Sequence, residues 1–111
     1  MLFAFSIAPA GGSSDSAGDS VGDVVAEAVR VVRASGLPCE TTSMFTTIES
    51  ETWDEGMAVV KAAVEAVQAR APRVSLVLKA DIRPGHAGQL TAKVDRVEQA
   101  LRAPGDGAAD G

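Results

Sequence analysis

Bulky and small side chains alternate over residues 2–8, with Phe3, Phe5 and Ile7 set against Leu2, Ala4, Ser6 and Ala8. A period of two predicts a strand with one bulky face, and Pro9 is expected to end it. Residues 10–19 are rich in Gly, Ser and Asp and read as a loop. Near Ser20 the period becomes helical. Val21, Val24, Val25, Ala28, Val31 and Val32 fall on one side. Ser20 and Asp23 have the spacing of a capping box, with Asp in the place of Glu or Gln. Gly36 followed by Pro38 is a stop signal. Two short threonine-rich strands follow, over 39–43 and 45–51, close enough to pair as a hairpin.

The second helix starts at a Thr52–Glu55 capping pair, with Asp54 and Glu55 suited to the positive end of the helix dipole. Its expected apolar stripe is Trp53, Met57, Val60, Val64 and Val67, and Pro72 closes it. Residues 73–83 form the clearest strand pattern. Val74, Leu76, Leu78, Ala80 and Ile82 point one way, and Arg73, Ser75, Val77, Lys79, Asp81 and Arg83 the other. A last helix is predicted over 90–101, with Leu90, Val94, Val97 and Leu101 on one side. Residues 103–111 hold only small and polar side chains apart from one proline and are expected to be a disordered tail, which leaves a single domain over 1–102.

The order β-α-β-β-α-β plus a C-terminal helix predicts an α+β, ferredoxin-like sandwich on an antiparallel four-stranded sheet. The two longer helices have one apolar stripe each, so they should share one face of the sheet. The other face must then be solvated, bind a ligand or pack on another subunit.

Charge and composition remove some functions. The 111 residues carry a net charge of −5 and no basic stripe, which argues against nucleic acid and anionic membrane as partners. No stretch reaches the ~20 apolar residues of a membrane span. The apolar N-terminus lacks a basic leader region, so it reads as a strand rather than a signal peptide. With one cysteine, Cys39, no internal disulfide forms, and a cytoplasmic location is expected.

The polar side of the last strand holds the main candidate constellation: Ser75, Lys79, Asp81 and Arg83, with Glu49 on a neighbouring strand. Such a row orients a polar heterocycle by charge-assisted hydrogen bonds, or it is a solvated strand face with cross-strand ion pairs. Glu49 and Glu51 flank the turn into the second helix, where a carboxylate either pairs with a cationic ring or serves the helix start. Ser20 is a site candidate, although an N-cap role explains it equally. The loop Gly11, Gly12, Ser13, Ser14 lacks the lysine of a phosphate loop and matches no dinucleotide fingerprint. His86 has no metal-ligand partner at the right spacing, and Cys39 has no histidine pattern of a thiol nucleophile. Trp53, Phe45 and Met44 are ring-stacking candidates with packing as the alternative.

Several segments in order resemble a known family. They are Val24-Val25-Ala26-Glu27, Ala34-Ser35-Gly36-Leu37, Met44-Phe45-Thr46-Thr47-Ile48-Glu49, Trp53-Asp54-Glu55, Arg73-Val74-Ser75 and Lys79-Ala80-Asp81-Ile82-Arg83, then Lys93-Val94 and Val97-Glu98. Over residues 2–101 the chain resembles the small thiamine-binding proteins of the YkoF-like superfamily. That resemblance implies a ferredoxin-like fold, homo-oligomers (dimers or tetramers) built through the open sheet face, and binding of thiamine or hydroxymethylpyrimidine as ligand. No nucleophile–base pair or metal set in the sequence supports an enzyme, so neither catalysis nor a cofactor is expected. It places Ser20, Thr46, Glu49, Lys79, Asp81 and Arg83 at matching positions. Glu49 and Asp81 are the expected acceptors, Ser20 and Thr46 neutral partners, and Arg83 an orienter of Asp81. The chain departs from the family pattern at Phe45 and Ser50, where Gly is usual, and at Ile82, where an acid is usual. Phe45 either narrows a pocket or supplies a stacking ring. The alternative function is a homo-oligomeric structural or regulatory module without a thiamine ligand. Thr46 and Glu49 lie three positions apart, so in a regular strand they face opposite sides unless a bulge intervenes.

Overall fold

A computed structural model describes residues 1–10 and 21–102 of the chain. The expectations for Ser20, for the glycine-rich loop and for the 103–111 tail fall outside the described residues. The elements are β1 (Leu2–Ala10), α1 (Val21–Ala34), β2 (Cys39–Thr41), β3 (Thr46–Glu49), α2 (Trp53–Gln68), β4 (Arg73–Asp81) and α3 (Gln89–Arg102). The strands lie in the order β2-β3-β1-β4, every neighbouring pair antiparallel. β3 and β4 therefore run parallel to each other on either side of β1, with α2 as their crossover. This is the split βαβ arrangement expected of a ferredoxin-like α+β fold.

The alternation in β1 decides which face is the core. Phe3, Phe5 and Ile7 are buried, and with Ile48, Val24, Ala28, Val32, Val60, Ala63 and Val67 they form one cluster between the sheet and the α1–α2 layer. Each large apolar side chain buried this way contributes roughly 1.5–3 kcal/mol. The opposite face carries Leu2, Ala4, Ser6 and Ala8 on β1 and their partners Asp81, Lys79, Val77 and Ser75 on β4.

Several boundaries differ from expectation. Pro9 does not end β1, which runs on to Ala10. The β1–β3 ladder stops at Phe5↔Thr46, so beyond it β1 is paired only with β4. There it is an edge strand on its β3 side, where a missing N–H is tolerated. The hairpin strands are shorter than the threonine-rich runs. Residues 42–45 are its turn, closed by Thr42 N–H donating to the Phe45 carbonyl at 2.9 Å. β4 ends at Asp81, which leaves Arg83 outside the strand it was expected to share with Lys79 and Asp81.

α2 starts as its capping signal predicts: Thr52 Oγ1 accepts from the Glu55 N–H at 3.1 Å. The return bond is displaced by one residue, because Glu55 Oε1 accepts from the Glu51 N–H at 3.2 Å. The buried stripe of α2 is Gly56, Val60, Ala63 and Val67. Trp53 instead stays 50% exposed and meets Phe3 edge-on, with ring centroids 5.8 Å apart. Gly56 is buried because the Phe3 ring lies against it; a Cβ there would sit 2.2 Å from Phe3 Cε1.

Candidate functional site

The β1–β3 register runs without a break from Leu2↔Glu49 to Phe5↔Thr46. There is no bulge, so Thr46 and Glu49 face opposite sides of the sheet. The expected site residues accordingly divide into two groups. Thr46 lies on the helix-covered side. Glu49, Lys79 and Asp81 lie on the open side, since Leu2 pairs with both Glu49 and Asp81, and Ala4 pairs with Lys79.

On the helix side, α1 and the β2–β3 hairpin do not close completely. Between them is a pocket of about 160 Å³. Phe5, Ile7, Ala28 and Val32 from the core line it, and Val25 and Val29 of α1 form one wall. The hairpin contributes Thr41, Thr42, Ser43, Met44, Phe45 and Thr46. Thr41 and Thr46 are cross-strand partners whose hydroxyl oxygens lie 3.4 Å apart. None of the described residues that line this pocket is charged.

The open side is organised by α3. That helix begins after Gly88, with no acid in its first turn and no side chain of the usual N-cap type. Its first N–H groups need an acceptor from elsewhere. Glu49 provides it: Oε2 accepts from the Gln89 N–H at 3.0 Å and Oε1 from the Leu90 N–H at 3.2 Å. Glu49 is only 8% exposed as a result. One turn later the Lys93 ammonium donates to Asp81 Oδ2 at 2.8 Å. That bond and the Lys93 charge hold the Asp81 carboxyl below the usual carboxylate range. Slight desolvation opposes them, and Arg83 and Lys79 add smaller contributions of the same sign. Lys93, rather than Arg83, is thus the residue that fixes Asp81. Arg83 is an exposed residue of the β4–α3 connection, and Lys79 is exposed on the open face.

A second, wider pocket of about 530 Å³ adjoins Glu49. Leu37 and Pro38, Glu49 to Glu51 with Glu55, and His86 to Gly88 with Leu90 and Thr91 line it. Its described lining holds three glutamates and His86 and no lysine or arginine. Among the described residues, no group of His, Cys, Asp and Glu could hold a metal ion. No helix among them is long and apolar enough to cross a membrane.

Two features have little local signature in the sequence. Lys93 stands in the chain only as part of the Lys93-Val94 motif; its partner Asp81 lies 12 positions away on a different element. The tie between Glu49 and α3 left one clue in the sequence, a helix with no cap of its own.

Fold and pockets together define a ferredoxin-like α+β domain with one hollow between α1 and the hairpin and another beside Glu49. The chain belongs to the thiamine-binding protein family, which it matches over residues 3–98. It is 56% identical over 104 residues to UPF0045 protein Mb1933 of Mycobacterium bovis, covering 94% of this chain and 97% of that protein. Among solved structures it is similar to a domain of unknown function, DUF77, from Bacillus cereus. That match has a TM-score of 0.71 at 32% identity and covers 84% of this chain and 85% of the other. The fold is also shared with a candidate thiamine biosynthesis or salvage protein of Thermotoga maritima, with a TM-score of 0.70 at 23% identity over 86% of this chain and 96% of that one.

Proposed function

We propose that the chain binds thiamine or its hydroxymethylpyrimidine half without transforming it, as a carrier or sensor, and that the pyrimidine sits between α1 and the hairpin against Thr46. The observation that carries this reading is the uncharged 160 Å³ pocket with Thr41 and Thr46 hydroxyls over an apolar floor. A cavity of roughly 150 Å³ holds one benzene-sized ring. A neutral aminopyrimidine enters such a place without the cost of desolvating a charge. Its ring nitrogens and amino group match hydroxyls that both donate and accept.

Each Glu49 carboxylate oxygen already accepts from an α3 N–H, and Asp81 Oδ2 accepts from Lys93. In this reading they hold α3, Lys79 and Arg83 help keep Asp81 ionised, and the open side meets a second copy of the chain. Val77 on that face is 54% exposed, and the α3 stripe of Val94, Val97 and Leu101 is 57–75% exposed. Apolar surface left in water at these positions supports a homo-oligomer. A cytoplasmic protein with one reduced thiol is consistent with this role.

A second reading is favoured by the pocket beside Glu49. Three carboxylates and no cation there suit the thiazolium ring of whole thiamine. Calorimetry separates the two. With the pyrimidine beside Thr46, hydroxymethylpyrimidine and thiamine both bind, and Thr46→Val weakens both by about 5- to 10-fold, the worth of one hydrogen bond. If Glu51→Gln and Glu55→Gln weaken thiamine while Thr46→Val does not, the acidic pocket is the site. Absence of heat with every ligand defeats both readings and leaves an oligomeric module.

A further inference from the structure

Phe45 is the one aromatic side chain of the hairpin that lines the pocket beside Thr46, and its backbone is unusually well held. Its N–H donates to Thr42 Oγ1 at 3.2 Å. Its carbonyl accepts from the Thr42 N–H at 2.9 Å and from the Thr42 hydroxyl at 3.2 Å. The Met44 N–H donates to the same hydroxyl at 3.3 Å. Threonine 42 therefore closes the turn on itself in the manner of a hydroxyl-stabilised turn. The consequence falls on Phe45, whose backbone is set before any ligand arrives. Its side chain is half-buried, whereas neighbouring Met44 is 73% exposed at the pocket's outer edge.

Val25 and Val29 of α1 line the same pocket with aliphatic side chains. A flat ring bound there has an aromatic side chain, methyl groups and the Thr41 and Thr46 hydroxyls among its neighbours. We infer that Phe45 is the specificity-determining residue of this pocket: it supplies a preset stacking face that selects planar, uncharged heterocycles over saturated rings of the same size. This inference rests on the placement of the pyrimidine beside Thr46. An aromatic side chain with two rotatable bonds makes such a face at little entropic cost, and a preset geometry removes most of what remains.

The test is a calorimetric series on the whole chain with two probes. One is hydroxymethylpyrimidine; the other is a saturated six-membered ring bearing the same amino, methyl and hydroxymethyl groups. Stacking of a base on an aromatic side chain is worth roughly 5- to 150-fold in affinity. The wild-type protein should prefer the planar probe by a factor in that range, a result that needs no variant. Phe45→Leu should lose most of that preference by weakening the planar probe alone. Phe45→Tyr, which keeps the ring, should retain it. Denaturant midpoints of both variants near wild type would show that the hairpin remains folded. Equal binding of the two probes by the wild-type protein overturns the inference, as does an unchanged preference in Phe45→Leu. If Thr46→Val weakens binding while Phe45→Leu does not, the selection role fails and the pyrimidine placement stands. If the wild-type protein binds neither probe, both fall.

Discussion

Replacing Glu49 by Gln tests how the open side of the molecule is built. No side chain of α3 is buried, so hydrophobic packing contributes little to holding it on the sheet. The ties named above are the two bonds from Glu49 to the Gln89 and Leu90 N–H groups and the Lys93–Asp81 pair. The ion pair is exposed on both sides, where solvent screens the attraction and leaves it a weak tie. Glu49 is the stronger tie. It is nearly buried, it accepts twice, and it lies at the positive end of the helix dipole. Gln keeps the size and one acceptor oxygen but loses the charge and the second acceptor. Loss of an N-cap acceptor costs about 0.5–2 kcal/mol, and a charged hydrogen bond is worth about 1.5–3 kcal/mol. With one bond kept, the expected cost is about 1–2 kcal/mol, concentrated on α3. Amide hydrogen exchange reads this directly. Protection in α3 should fall by roughly 5- to 30-fold, while amides of β1 and α2 change little. Unchanged α3 protection would mean that something other than Glu49 holds the helix. A uniform loss across β1 would mean that α3 is part of the global folding unit. Ligand affinity measured on the same variant then reports whether the Glu49 carboxylate also serves a ligand.

Three further outcomes follow from named contacts. Gly56→Ala places a methyl group within 2.2 Å of the buried Phe3 ring. So short an approach to a buried ring belongs to the upper part of the overpacking range, about 2–3 kcal/mol; less a helix-propensity gain near 1 kcal/mol, about 1–2 kcal/mol remains, so the melting temperature should fall by about 4 °C or more; an equal or higher value would refute the close approach. The folded-state pKa of Asp81 lies below its ordinary value of 3.8, so the Lys93 pair contributes above that value and is lost as pH falls through the lowered one. The difference in α3 opening between wild type and Asp81→Asn should therefore be present at neutral pH and vanish in strong acid; a difference that persists there would assign it to another cause. Sedimentation at micromolar concentration should give a mass above the monomer, reduced by Val77→Glu or Val97→Glu. A wild-type monomer would mean that the exposed valines have no partner copy.

The order of elements, the buried face of β1 and the cap of α2 were legible in the chain because each is set by neighbours within a few positions. Alternation of Phe3, Phe5 and Ile7 chooses a face, and Thr52 finds Glu55 one turn away. The opposition of Thr46 and Glu49 was legible too, as a consequence of strand period, and the unbroken register settled it. Tertiary structure decided the rest. Whether Pro9 ends a strand depends on which side of β1 still has a partner. Whether Gly56 is a weakness or a requirement depends on a phenylalanine 53 positions earlier. Glu49 acts as a cap for a helix 40 residues downstream, a pairing that local pattern does not encode. Arg83 is displaced by Lys93 at Asp81 because β4 ends at Asp81 and α3 brings an ammonium closer. Periodicity determines what a segment will be, whereas the long-range packing of the chain determines which charges and which backbone groups each side chain must satisfy.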